Sequence, residues 1–256
     1  MLGAITGDII GSIYEFVNFK EYDFPLFSDD SFFTDDSVLT VAVADALIHN
    51  LDIAKTLKSY ALKYPNRGFG GSFYKWMHSP SLAPYNSWGN GSAMRTSAIG
   101  FFYNNEADVL NAARKFAEVT HNHPEGIRGA QATAFAILLA MQGCSKDEIR
   151  NIITNSFQYD LSRTLDEIRP KYVFDESCQG TVPEALTAFL ESENFEDAVR
   201  KAVSLGGDAD TLACITGSIS EAFYGQVPPE IAAEVQKRLP EEFIKIIEKF
   251  YLMLEE

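Results

Sequence analysis

The sequence has little of what most specialised protein classes require. There are three cysteines in 256 residues, Cys144, Cys178 and Cys214, widely spaced and without a Cys-x-x-Cys pair. That excludes a disulfide framework and a cysteine zinc site, and leaves small buried thiols in a reducing compartment as the expectation. No apolar run approaches the ~18 residues of a membrane-spanning helix. The opening Met1-Leu2-Gly3-Ala4-Ile5-Thr6-Gly7-Asp8 has no basic segment and meets an acid early, so it does not read as a signal peptide, and a cytoplasmic location is expected. Cations are scarce: Lys+Arg 21 against Asp+Glu 36, a formal net charge of −15. Such a chain lacks the basic stripe that holds a phosphate backbone or an anionic lipid surface. Neither a membrane nor a stable nucleic-acid complex is therefore expected as a partner, although a nucleotide held through metal ions is compatible with this charge. Sustained two-residue alternation is missing too, with Tyr172–Phe174 the one short β-like piece. So are Ser/Gly linkers, low-complexity tracts and fixed-period repeats. Oligomeric state leaves no mark in the sequence.

What remains is apolar and helical. With 46% hydrophobic residues the chain can bury a large core. Apolar positions recur at three- and four-residue spacing almost throughout, the signature of amphipathic helices. The expected helices are Ser37–Asn50, Asp52–Tyr64, Gly91–Tyr103, Ala107–His121, Glu125–Gln142, Lys146–Phe157 behind a capping box, Pro183–Glu191, Phe195–Leu205, Thr211–Tyr224, Pro229–Leu239 and Glu241–Leu254. A further helix opens the chain, with Gly3, Gly7, Gly11 and Glu15 at four-residue intervals on one face. Three glycines cost such a helix roughly 1 kcal/mol each relative to alanine, a cost offset where two backbones approach closely. This helix is therefore expected to be central, with Glu15 ending its buried stripe. The reading is all-α, a single domain over 1–256.

Two acidic clusters stand just before strongly apolar helices, Thr34-Asp35-Asp36-Ser37 and Gly206-Gly207-Asp208-Ala209-Asp210-Thr211. Helix capping explains one or two such groups at each place, but not two aspartates and a threonine at both. Four carboxylates with two hydroxyls form a hard-oxygen set suited to Mg²⁺ or Mn²⁺ rather than zinc. If the clusters meet, a two-metal site is expected. A third segment, Ser87-Trp88-Gly89-Asn90-Gly91-Ser92-Ala93-Met94-Arg95, is a glycine-rich turn opening a helix, where backbone N–H groups could take a phosphate and Trp88 could stack on a base. The fourth, Thr120-His121-Asn122-His123-Pro124-Glu125, carries two of the four histidines. With no third histidine or cysteine at hand, hydrogen bonding is preferred over metal binding there.

In this order, from Gly3 to Gly225, these segments resemble the ADP-ribosylglycohydrolase family, the fold of ADP-ribosylarginine and ADP-ribosylserine hydrolases and of the dinitrogenase-reductase-activating enzyme. The resemblance implies an orthogonal helical domain with a central dinuclear metal cleft holding two Mg²⁺ or Mn²⁺. It implies Thr34, Asp35, Asp36, Asp208, Asp210 and Thr211 as metal ligands. Glu15, Asp35 and Asp36 become the candidates for proton transfer at the scissile bond, with Glu15 favoured as donor. It also implies Ser87 on a diphosphate, Trp88 on adenine, the Gly89-Asn90-Gly91-Ser92 turn beside them, and His121 near the diphosphate and ribose. The expected activity is metal-dependent release of ADP-ribose from a modified protein or small molecule. The rivals are a two-metal nucleotide phosphohydrolase and an ADP-ribose-binding protein without catalysis. His123-Pro124-Glu125 departs from the better-known members and leaves the acceptor open.

Overall fold

The computed structural model describes residues 1–254, and among them there are fifteen helices and no sheet. In chain order they are α1 (Leu2–Gly11), α2 (Asp35–His49), α3 (Ile53–Lys63), α4 (Gly71–His78), α5 (Gly91–Met94), α6 (Ser97–Phe102), α7 (Glu106–Glu118) and α8 (Pro124–Met141). Then follow α9 (Lys146–Phe157), α10 (Leu165–Ile168), α11 (Cys178–Leu190), α12 (Phe195–Val203), α13 (Ala209–Tyr224), α14 (Pro229–Gln236) and α15 (Glu241–Leu254). None is long and apolar enough to cross a membrane.

Burial sorts the helices into two layers. α1, α8, α11 and α13 are apolar nearly all round and are buried along almost their whole length, as expected of helices enclosed by others. α3, α7, α9, α12 and α15 bury one face each and cover the outside.

The glycine stripe of α1 lies on α13. A Cβ on Gly7 would stand 1.9 Å from the carbonyl oxygen of Ala213, and one on Gly11 would stand 2.4 Å from Cα of Asp210. Only glycine lets the backbones come this close, which accounts for three poor helix formers in one short helix. Gly3 adds a hydrogen bond from its N–H to Glu221 Oε2 at 2.7 Å.

Most helix boundaries fall within two or three residues of expectation. The departures are instructive. The predicted Gly91–Tyr103 helix breaks at Arg95–Thr96 into α5 and α6. The Met94 carbonyl is approached at the break by Thr40 Oγ1 and Cys214 Sγ, each at 3.4 Å. α11 begins five residues before the expected Pro183. Ser177 caps it by accepting from the Gly180 N–H, and complete burial of Cys178, Val182, Ala185 and Leu186 outweighs the hydrogen bond that Pro183 cannot donate. α1 ends at Gly11, so Glu15 stands in the turns of 12–18 rather than on the helical stripe. α4 and α10 were not expected. Tyr172–Phe174 is irregular, and an isolated bridge pairs Gly89 with Ser177.

Candidate active site

The two acidic clusters are helix N-termini, and the fold turns both toward one cleft. Thr34 is the N-cap of α2, its Oγ1 accepting the Asp36 N–H at 3.2 Å, so that Asp35 and Asp36 occupy the first turn. Asp208 precedes α13 but makes no capping bond; its carboxylate instead accepts from Asn90 Nδ2 at 2.7 Å. Capping therefore accounts for Thr34 and not for Asp208. Gly206 and Gly207 both have φ +69°, and this double left-handed turn swings the chain into the cleft ahead of Asp208.

One cavity is lined by Glu15, Asp35, Asp36, Asp208, Asp210 and Glu176, and by a single cationic side chain, Arg95. One oxygen each from Glu15, Asp208 and Asp210 lies within 4.8 Å of the other two. Burial, reinforced by the neighbouring carboxylates, pushes the proton affinities of Asp35, Asp36 and Asp210 well up. Glu15 rises to about 8, through burial first and then Asp208 and Asp8. Carboxylates in such a cleft either hold protons or share a cation.

The donor set fits hard cations. Asp36 Oδ2 is enclosed without a hydrogen-bond partner among the described residues. Thr34 Oγ1 spends its hydrogen on Asp8 at 2.7 Å and one lone pair on the Asp36 N–H, leaving the other free. All the groups are carboxylate or hydroxyl oxygen, the chemistry of Mg²⁺ and Mn²⁺.

Of the remaining candidates, Ser87, Gly89, Asn90, Gly91, His121 and Thr211 line the same cavity. Asn90 ties the turn inward: its side chain reaches Thr181 and Asp208, and its N–H donates to the Glu176 carbonyl at 2.8 Å. Ser92 does not face the cavity; its hydroxyl is buried and donates to the Gly126 carbonyl at 2.7 Å. Trp88 stands outside on the rim, 53% exposed, its ring 5.7 Å from that of His123. Thr34 also lies behind the lining. The α5 helix that the turn opens has only four residues. His123 caps α8, its Nδ1 accepting the Glu125 N–H, which gives that histidine a structural role.

The sequence reading gave no role to Asp8. It is wholly buried on α1 and accepts from the N–H and hydroxyl of both Thr34 and Ser37, the last a short contact. Burial still raises it to about 6. The signal was there, an acid inside a glycine-and-isoleucine stripe, but its partners lie 26 and 29 residues away. Arg95, Tyr85 and Phe174 also line the cavity without having been assigned a role. Phe174 packs at 6.1 Å on Phe16, the neighbour of Glu15.

The ADP-ribosylglycohydrolase family model matches residues 1–256. The chain is 27% identical over 310 aligned positions to mouse ADP-ribosylhydrolase ARH3, covering 89% of this chain and 84% of that protein. It is 26% identical over 284 positions to ADP-ribosylarginine hydrolase Tri1 of Pseudomonas putida, covering 92% and 72%. Among solved structures, one titled ADP-ribosylglycohydrolase-related protein complex superposes with TM-score 0.73 at 24% identity, over 99% of this chain and 97% of that one, a likeness of fold.

Proposed function

The chain belongs to the ADP-ribosylglycohydrolase family, and from that premise we propose that it hydrolyses the C1 glycosidic bond of the distal ribose in an ADP-ribosylated protein or small molecule and releases ADP-ribose. The observation that supports this best is the meeting of the α2 and α13 N-termini with Glu15 in one cavity that also contains the Gly89-Asn90-Gly91 turn. We take residues 1–256 as one catalytic unit.

In this reading Thr34, Asp35, Asp36, Asp208, Asp210 and Thr211 hold two Mg²⁺ or Mn²⁺ ions. The ions supply positive charge that orients the ribose hydroxyls and makes water more acidic at the site. The chain's own groups do the rest. Asp8 holds the Thr34-Asp35-Asp36 turn rigid through its hydrogen bonds to Thr34 and Ser37. Ser87, the glycine turn and His121 hold the diphosphate, and Trp88 on the rim offers a flat face to adenine. Glu15 is the group for proton transfer to the leaving atom. It sits on the turns that follow α1, half-buried. Positive charge that builds at C1 and the ring oxygen as the bond opens is of the oxocarbenium kind, which the surrounding carboxylates favour.

The test is product analysis. ADP-ribosylarginine, ADP-ribosylserine and O-acetyl-ADP-ribose are incubated with the protein and Mn²⁺, with EDTA in parallel. Free ADP-ribose that disappears with EDTA is the expected result. AMP with ribose phosphate would transfer the site to the phosphohydrolases. ADP-ribose binding without turnover of any of the three would leave a binding protein.

A further inference from the structure

Arg95 is the cationic side chain of the cleft, yet none of its hydrogen bonds goes to a carboxylate. It is 1% exposed. Its Nη2 donates to the Phe116 carbonyl at 3.2 Å and to Thr120 Oγ1 at 2.8 Å, while Nε and Nη1 have no partner among the described residues. A buried guanidinium bound in this way, at the break between α5 and α6, calls for a role beyond ion pairing.

That role follows from counting hydrogens at Thr120. The residue is wholly buried, and its Oγ1 has two side-chain neighbours within hydrogen-bonding distance, Arg95 Nη2 and His121 Nδ1, the second at 2.7 Å. A guanidinium only donates, so the hydroxyl oxygen accepts from Arg95. The hydroxyl hydrogen then needs an acceptor, and His121 Nδ1 is the one in reach. Were Nδ1 protonated, two donors would point at the oxygen and the hydroxyl hydrogen would be buried with no acceptor, an arrangement interiors avoid. Nδ1 is therefore bare and the ring proton is on Nε2. Nε2 lies at the glycine turn, 3.5 Å from a Cβ built on Gly91 and 3.6 Å from one on Gly89.

We propose that Arg95 and Thr120 are positioning residues that fix His121 as a neutral imidazole carrying its proton on Nε2, so that an N–H donor is always presented to an acceptor oxygen of the ligand at the Gly89-Asn90-Gly91 turn. The direction of the relay is Arg95 to Thr120 to His121, each donating to the next. Burial and the guanidinium both hold the imidazole's proton affinity well below the ordinary range, in keeping with a neutral ring. The tautomer stands on the hydrogen-bond count alone; that the acceptor is a diphosphate oxygen rests on the function proposed above.

Long-range ¹H–¹⁵N correlation on histidine-labelled protein at pH 7, without ligand, reads the tautomer of each ring, with His121→Gln identifying the His121 signals. The wild type is expected to show His121 in the Nε2–H form. Thr120→Val, which keeps shape and loses the hydroxyl, is expected to move it toward a tautomer mixture. Calorimetric affinity for ADP-ribose is expected to drop in proportion to the rings that no longer carry the Nε2 proton, about twofold for an even mixture. Thr120→Ser restores both. An imidazolium or an Nδ1–H ring in the wild type, or an unchanged tautomer in Thr120→Val, overturns the proposal. If Thr120→Val does not fold, the wild-type spectrum and Thr120→Ser still decide. If the tautomer is as stated but ADP-ribose does not bind, it is the functional reading that fails.

Discussion

Asp8 and Glu15 are both carboxylates of the same acidic cluster, but their surroundings set different tasks. Asp8 is enclosed and accepts from four donors on Thr34 and Ser37. Asp8→Asn leaves one carbonyl oxygen where the carboxylate accepted from two backbone N–H groups and two hydroxyls, so it no longer serves all four donors, and its NH₂ can be answered only by a hydroxyl oxygen. Each orphaned buried donor costs about 1–3 kcal/mol, so urea unfolding should show a loss of that order, together with weaker Mn²⁺ binding by calorimetry. An unchanged midpoint and unchanged affinity would mean that Asp8 does not organise the turn. Glu15 lies in the cavity lining without such a frame. If it moves the proton, Glu15→Gln should lower turnover by about 10²–10⁴-fold, the usual share of general acid–base catalysis, with Mn²⁺ still bound. Full turnover in that variant would assign the proton to another group.

At the scale of elements, the site depends on how closely α1 lies against α13. Gly11 faces the backbone of Asp210 itself. A methyl group there drives the two helices apart at Asp210, one of the proposed metal ligands. Gly11→Ala should therefore cost about 1–3 kcal/mol of stability, the range for overpacked cores, and weaken Mn²⁺ binding as well. Gly71→Ala is the control: nothing lies within 4 Å of the added carbon and the residue opens α4, where alanine is the better helix former, so stability should not be weakened. Equal losses in the two variants would remove the close approach as the reason for the glycine stripe. The stripe itself was legible, because a period of four is local information. That it ended at Gly11, short of Glu15, was not. The turns of 12–18 follow from packing that no local pattern encodes. The α5–α6 break was illegible for the same reason. The apolar spacing continues through it, and only the distant Thr40 and Cys214, near the Met94 carbonyl, mark the place.

For the whole molecule the governing quantity is the concentration of negative charge at its centre. Asp8 is raised to about 6, Glu15 to about 8, and Asp35, Asp36 and Asp210 well above the ordinary carboxyl range. The unfolded chain titrates these groups near pH 4. Between that value and the folded ones the folded state binds more protons, so without metal its stability falls as pH rises from about 4 toward 8. A divalent cation replaces those protons and needs the carboxylates ionised. The rise in Tm on adding Mn²⁺ should therefore be larger at pH 8 than at pH 5.5 in thermal scans. A larger rise at the acid end, or none at either, would argue against a cation among these oxygens.

The sequence by itself determined the helical class, most helix positions and the chemical kind of the site. Helix periodicity, caps and the Thr-Asp-Asp and Asp-x-Asp-Thr runs are short-range patterns, written in neighbouring residues. Tertiary structure alone decided which oxygens share a cavity, that Ser92 turns away from it and Trp88 stands outside it, and that Asp8 and Thr120 stand behind the groups in front. Those relations join residues tens to hundreds of positions apart. They are fixed by how closely whole helices pack and by the need of every buried donor for an acceptor, which no local spacing records.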